Sequence, residues 1–218
     1  MQCEFFNRTA IFFKHINIMN KIFLILAFPT FLLFNSCGEE NTSENSEIVV
    51  ELTADEKEKY LSKGKKTAQN AFRVLSTNLS EKMQEGGVEL AVDFCHLEAL
   101  TLTEGVAENN DTKIRRAALK YRNPSNELTA IEKEAFDEYL ARMKNGANDL
   151  SPIVKAKKDG GAYFFSPIIL QPQCVSCHGK VGEQISESTL AIINDKYPND
   201  KAVNFEIGEL RAIWSIEF

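Results

Sequence analysis

Residues Cys174-Val175-Ser176-Cys177-His178 place two thiols and one imidazole within a single five-residue run. Any fold this chain adopts must leave room for whatever these three side chains hold. C-x-x-C-H is the attachment signature of c-type haem. Two thiols three positions apart lie on one helical turn and reach the two vinyl groups of a porphyrin. The following residue, His178, then falls beneath the iron as the proximal ligand.

Other chemistries that use paired cysteines fit less well. A structural zinc ribbon needs a second Cys/His pair at short spacing, and the sequence has none. A thioredoxin-like dithiol has no use for the histidine and sits in a βαβ context that is absent here. A plain Cys174–Cys177 disulfide is the remaining bland alternative. The chain carries five cysteines (Cys3, Cys37, Cys95, Cys174, Cys177) and three histidines (His15, His96, His178). An odd cysteine count does not suit a disulfide scaffold, and 218 residues are too many to need one.

The N-terminal part reads as an address. Lys21 precedes thirteen uncharged residues, Ile22 to Phe34, and then Asn35-Ser36-Cys37. A basic start, an apolar stretch and a small residue before a cut site describe an export signal. Thirteen residues in a helix cover roughly 20 Å, short of a hydrocarbon core of roughly 30 Å. The run ending in Cys37 resembles the lipobox of bacterial lipoproteins, which implies cleavage before Cys37 and a lipid on its sulfur. Phe34 and Asn35 depart from the usual lipobox, so a secreted protein or an uncleaved anchor are the alternatives. The reading is therefore 1–18 as an artefact upstream of a start at Met19, 19–36 as a lipoprotein signal peptide, 37–50 as an acidic flexible tether, and 51–218 as the domain. Covalent haem attachment takes place outside the cytoplasm, so this address and the C-x-x-C-H run support each other.

With 25 Lys+Arg against 31 Asp+Glu, the net charge is -6, and it becomes -8 once residues 1–36 are removed. No basic block appears, which argues against nucleic acid as a partner. Hydrophobic residues at 44% are enough for a packed core.

In the domain, Thr53 with Glu56 forms a capping-box pattern for a helix running to about Met83 and stopped by Gly86-Gly87. A second helix is expected from Val88 to about Ala107, and a strand over 112–121. Arg122 to Asn126 reads as a turn, because Pro124 forces extended geometry before it. A third helix spans Thr129 to Lys144. A turn at Lys157–Gly161 leads to a strand over 162–170 that contains Pro167. A short helix is expected at 183–193 and a terminal strand at 209–218. Long helices first and strands afterwards predict an α+β domain.

Four residues are candidates for the distal side of the iron, Cys95, His96, Met83 and Met143. Cys95 and His96 are neighbours, so on a helix they point about 100° apart and cannot both face one iron. The Cys95 face carries Val88, Ala91, Ala99 and Leu102, apolar and small enough for a flat macrocycle to approach. The His96 face is more polar, and Asp93 one turn away is placed to bond His96. Helical spacing thus favours Cys95 as a thiolate ligand. The alternatives are Cys95 as a small buried hydrophobe, His96 as ligand, or Met83 or Met143.

Four segments in order, AVDFCHLEA, RNPSNELT, PIILQPQCVSCHG and GELRAIWSIEF, resemble the PAS-like single-haem c-type cytochrome domain family, the Tll-type haem domain. The resemblance spans roughly Thr53 to Phe218. It implies a PAS-like antiparallel sheet flanked by helices, and one haem c ligated by His178 and Cys95. Ala212 stands where glycine is expected, and the turn after Asn126 lacks a Pro-Asp; neither position is a ligand. Of Arg115, Arg116, Arg122 and Arg211, the two inside the resembling segments, Arg122 and Arg211, are the foremost candidates for the haem propionates.

With both axial positions filled by the chain, redox sensing or electron transfer is expected rather than catalysis, with a redox or signalling protein as partner and a lipid anchor in the membrane. The alternative is a haem enzyme or gas-binding protein in which Cys95 is displaced.

Overall fold

Thr53 opens the first helix as expected: Glu56 N donates to its hydroxyl (3.3 Å), and Thr53 N donates to the Glu56 carboxylate (2.9 Å). The computed structural model describes residues 51–108, 110–147 and 149–218. The start at Met19, the signal 19–36, Cys37 and the tether 37–50 lie outside the described residues. Helix α1 runs Ala54–Leu97, interrupted at Gly86 and Gly87. Gly87 takes φ 65, ψ −153, a conformation glycine alone adopts readily, so the predicted stop becomes a kink after which the chain turns helical again. Helix α2 covers Ala99–Glu108, so the single helix expected from Val88 to about Ala107 is broken at Glu98. Nothing in the residue types around Glu98 explains that break.

Strand β1 (Lys113–Ala117) is shorter than expected, because Ala118 turns away to bond Asn126 O (2.9 Å). The RNPSN segment forms a 3-10 turn at Pro124–Asn126, with Asn123 accepting from Ser125 N. Helix α3 (Ala130–Lys144) follows a second capping box, Thr129 with Glu132. Strand β2 (Ile153–Ala156) was not expected. It forms a hairpin with β3 (Ala162–Ile169) across the 157–161 turn. One turn of helix, α4, spans Val175–His178. Helix α5 covers Glu187–Lys196 rather than 183–193, because Ser186 caps it by accepting from Thr189 N (3.1 Å). Strand β4 (Leu210–Glu217) closes the chain.

Among the described residues, four strands make one antiparallel sheet in the order β1-β4-β3-β2. Pro167 is tolerated in β3 because β2 pairs only as far as Phe165. Beyond that point β3 has an open edge where no amide is required. Side chains alternate along the strands, so the sheet has a core on each face. Phe164, Trp214, Ile216 and Ile114 pack with α1 and α2. Phe165, Ile213 and Ala117 pack with Phe136 and Tyr139 of α3. Among the described residues, no helix is long and apolar enough to cross a membrane.

The contact between α1 and the sheet is closest at Gly64, where an added Cβ would lie 2.3 Å from ring carbons of the fully buried Phe164. Gly64→Ala gains up to about 1 kcal/mol in helix propensity. The overpacking costs about 1–3 kcal/mol and wins. The expected result is a fall in Tm in scanning calorimetry; a rise would show that the helix rides free of the sheet here.

Candidate cofactor site

The C-x-x-C-H run is short and gains its shape from what surrounds it. Pro172–Cys174 forms a 3-10 turn that passes into α4, so Cys174 stands at the helix start and Cys177 within it. Cys174 and Val175 pack against Leu170, Ala202 and Phe205, while Cys177 packs beside Val92, Ile193 and Tyr197. Gly179 follows because its backbone presses against the turn: a Cβ there would lie 2.6 Å from Val175 O. The chain beyond α5 then returns to clamp the run, with Phe205 N donating to His178 O (3.0 Å) and Asn204 N to Gly179 O (2.8 Å).

His178 Nδ1 lies 2.7 Å from Ala202 O. A carbonyl can only accept, so at this short distance Nδ1 carries the proton and the Nε2 lone pair is left for a ligand. Arg211 Nε, 3.4 Å from the same Nδ1, is then a neighbouring donor and not its partner. Burial, reinforced by the positive charges of Arg211 and Arg122, holds the His178 pKa well below 6.5, and the ring is neutral at neutral pH. A neutral imidazole with its second nitrogen fixed by a carbonyl is the state that metal coordination requires.

Two adjoining cavities open beside this imidazole. The larger, about 450 Å³, is walled by apolar groups of α1 such as Phe72, Leu75 and Val92, with Trp214 and Ile168 from the sheet. The smaller, about 180 Å³, is more polar and includes Tyr121, Asn123, Asn126 and Arg211. Their common wall includes Cys95, Arg116, Arg122, Cys174, His178 and Tyr197.

The structure therefore brings Cys95, Cys174, Cys177 and His178 to one cavity, from α1 on one side and α4 on the other. Cys174, Cys177 and Cys95 are free thiols. Burial raises the Cys95 thiol pKa, and the nearby Arg116 charge opposes that rise. Around Cys95, Ala91 and Ala99 are 1% exposed, the small apolar surround expected from helical spacing. His96 is exposed, lines neither cavity and sets its ring edge-on to Tyr197 (5.1 Å). Asp93 pairs with Lys196 (3.2 Å), whereas the sequence pointed to His96. Met83 lines the larger cavity, and Met143 packs in the core on the α3 face of the sheet.

The arginines divide sharply. Arg115 donates to Ser125 O and Glu127 O and pairs with Glu132, so it serves the turn. Arg122 is bonded to both carboxylate oxygens of Asp200 (3.2 Å each) and donates to Cys177 O (2.6 Å) and Ala202 O (3.3 Å). Arg211 donates to Lys120 O (3.1 Å) and lies over the Phe205 ring. Burial, then the repulsion of Arg122 and Arg116, brings the Arg211 pKa down to about 9. Arg116, ranked below Arg122 and Arg211 from sequence, has no hydrogen bond or ion pair among the described residues and lines both cavities. Its signal was there to read: it lies on the same strand face as Ile114, at a register position opposite Trp214, where a core residue belongs.

An antiparallel sheet between helices, with a cavity between sheet and α1, is a PAS-like α+β architecture. The chain belongs to the Tll0287-like family, whose model matches residues 39–218. It is similar to the crystal structure of the cyanobacterial heme-protein Tll0287, with 25% identity and a TM-score of 0.53, over 77% of this chain and 96% of that one. No curated protein matches the chain.

Proposed function

We propose that the protein is an exported c-type haem protein that works in redox sensing or electron transfer, with one covalent haem held six-coordinate by His178 and Cys95. The observation that carries this reading is the convergence of Cys174, Cys177, His178 and Cys95 on one largely apolar cavity. The donor set suits a haem better than a bare metal ion. Among the described residues, no three His, Cys, Asp or Glu side chains group as a ligand set on their own. The two thiols of one turn would take the vinyl carbons, and the free Nε2 of His178 the iron. The apolar wall excludes water from the ring, and basic groups stand at its polar end. Family membership and the similarity to a cyanobacterial haem protein support the same reading.

A bound haem supplies one-electron exchange between ferric and ferrous iron. Cys95 on one side and His178 on the other would leave no vacant position for a substrate, which favours electron transfer or sensing over catalysis. A thiolate at Cys95 favours the ferric state and a low potential. One observation favours the second reading, a haem enzyme or gas-binding protein in which Cys95 is displaced: Cys95 lines both cavities, so a thiol that left the iron would have open space beside it. Rapid CO binding by the reduced protein would select that reading. The export signal at 19–36 and a lipid on Cys37 belong to the same proposal, as do a redox or signalling partner and a membrane tether through that lipid.

The test is co-expression with a c-type haem maturation system. Wild type is expected to keep haem through a denaturing gel, and the Cys174→Ala/Cys177→Ala double variant is expected to lose it entirely. Haem retained by the double variant, or never acquired by wild type, would sink covalent attachment at this run.

A further inference from the structure

Most polar groups around the two cavities are engaged with the chain itself. Arg122 is bonded to Asp200, and Asn123 accepts from Ser125 N. Of the arginine and tyrosine side chains that line both cavities, two are not engaged. Arg116 and the Tyr197 hydroxyl have no hydrogen bond among the described residues. Tyr197 is 7% exposed as a residue, and its hydroxyl is not sealed in the core but opens on the cavity space that the residue lines. Both residues line both cavities, so they stand together at the seam. Each also feels the other's charge, and each feels Cys95.

Arg116 arrives from β1 on the face where Ile114 enters the core. A guanidinium set inward on a strand loses its hydration and is retained where an anion replaces it. Arg116 is half-buried in the cavity wall, and the loss of hydration there lowers its pKa. The surrounding charge does not supply that anion. Arg211 nearby is also cationic and has no carboxylate partner among the described residues, and Asp200 is held by Arg122. A guanidinium offers donors only, and a tyrosine hydroxyl can offer one more. Two unused donors and excess positive charge at the polar end of an apolar cavity describe a carboxylate site.

We propose that Arg116 and Tyr197 together bind a carboxylate of the ligand in the larger cavity, namely one propionate of the haem, with Arg122 acting instead as a structural tie. This rests on the haem reading above. Tyr197 packs beside Cys177, but Tyr197→Phe keeps the ring that makes this contact, and Arg116 comes from β1, so both can be changed while haem attachment is retained.

The experiment uses the haem-loaded full chain and reads the propionate bending band in resonance Raman spectra of wild type, Arg116→Gln, Arg116→Lys and Tyr197→Phe. The band is expected to move to lower frequency in Arg116→Gln and Tyr197→Phe, and to return part of the way in Arg116→Lys. Tyr197→Phe keeps the ring and its contact with His96, so it remains informative if Arg116→Gln does not fold. An unchanged band in both variants, with haem content equal to wild type, would overturn this assignment and leave the haem reading intact. A wild-type chain without haem would overturn both. The same holoproteins are then titrated with acetate. A saturable thermal shift in wild type that Arg116→Gln abolishes would assign the site to a free carboxylate and overturn the propionate assignment.

Discussion

Replacing Cys95 by alanine is expected to erase the low-spin thiolate signature from the optical and EPR spectra of the haem-loaded protein. The midpoint potential should rise by on the order of 0.1 V or more, within the roughly 0.8 V over which axial ligands move haem potentials. His96→Ala is expected to leave both observables unchanged. The contrast follows from position. Cys95 lies in the common wall of both cavities, with Ala91 and Ala99 buried around it, whereas His96 is exposed and lines neither. The substitution removes a small side chain from a wall that is already open to a cavity, so the fold should survive. Thermal denaturation alongside the spectra checks this. A spectrum altered only by His96→Ala would reverse the assignment. A spectrum altered only by Met83→Leu would point to the thioether, which lines the same cavity. Loss of the thiolate should also open the iron to CO, which ties this variant to the choice between electron transfer and gas chemistry.

Much of the cavity was legible along the sequence because its signals are local. C-x-x-C-H depends on five adjacent residues. The face of Cys95 depends on helical spacing over two turns, and the two capping boxes each span four residues. What could not be read depends on pairing across the fold. Strand β2 is four residues long and shows almost no alternation before its hairpin turn. It exists because β3 offers an edge as far as Phe165. The partner of Arg122 lies 78 residues away on a loop that no pattern marks. Tyr197 closes α5 with no motif around it, and its place at the cavity follows from how α5 packs on α1. Arg116 is the intermediate case. Its position on a strand face shared with Ile114 was visible, but only the sheet register shows that this face is covered by α1 and α2.

Arg122→Ala is expected to destabilise the domain by about 3–5 kcal/mol, the cost of leaving one member of a buried ion pair alone. The side chains of Arg122 and Asp200 are 12% and 3% exposed, so solvent cannot replace the lost guanidinium. For a domain of this size that corresponds to a fall in Tm of about 6–20 °C, measured by calorimetry. More than the pair is lost. The same guanidinium donates to Cys177 O and Ala202 O, and Ala202 O is also the acceptor for His178 Nδ1. Arg122 therefore ties the C-x-x-C-H turn to the loop that orients its histidine. Arg122→Lys should recover only part of the stability, since one ammonium cannot reach Asp200 and two separate carbonyls with the geometry of a fork. In a double-mutant cycle, adding Asp200→Asn to Arg122→Ala should cost far less than Asp200→Asn does alone, because the guanidinium it would orphan is already absent and the substitution removes the carboxylate that Arg122→Ala left unpaired. If the two costs simply add, the pair is not the source of the stability. A Tm within about 1 °C of wild type would mean that the turn holds itself, and that the carbonyls of Cys177 and Ala202 find other donors.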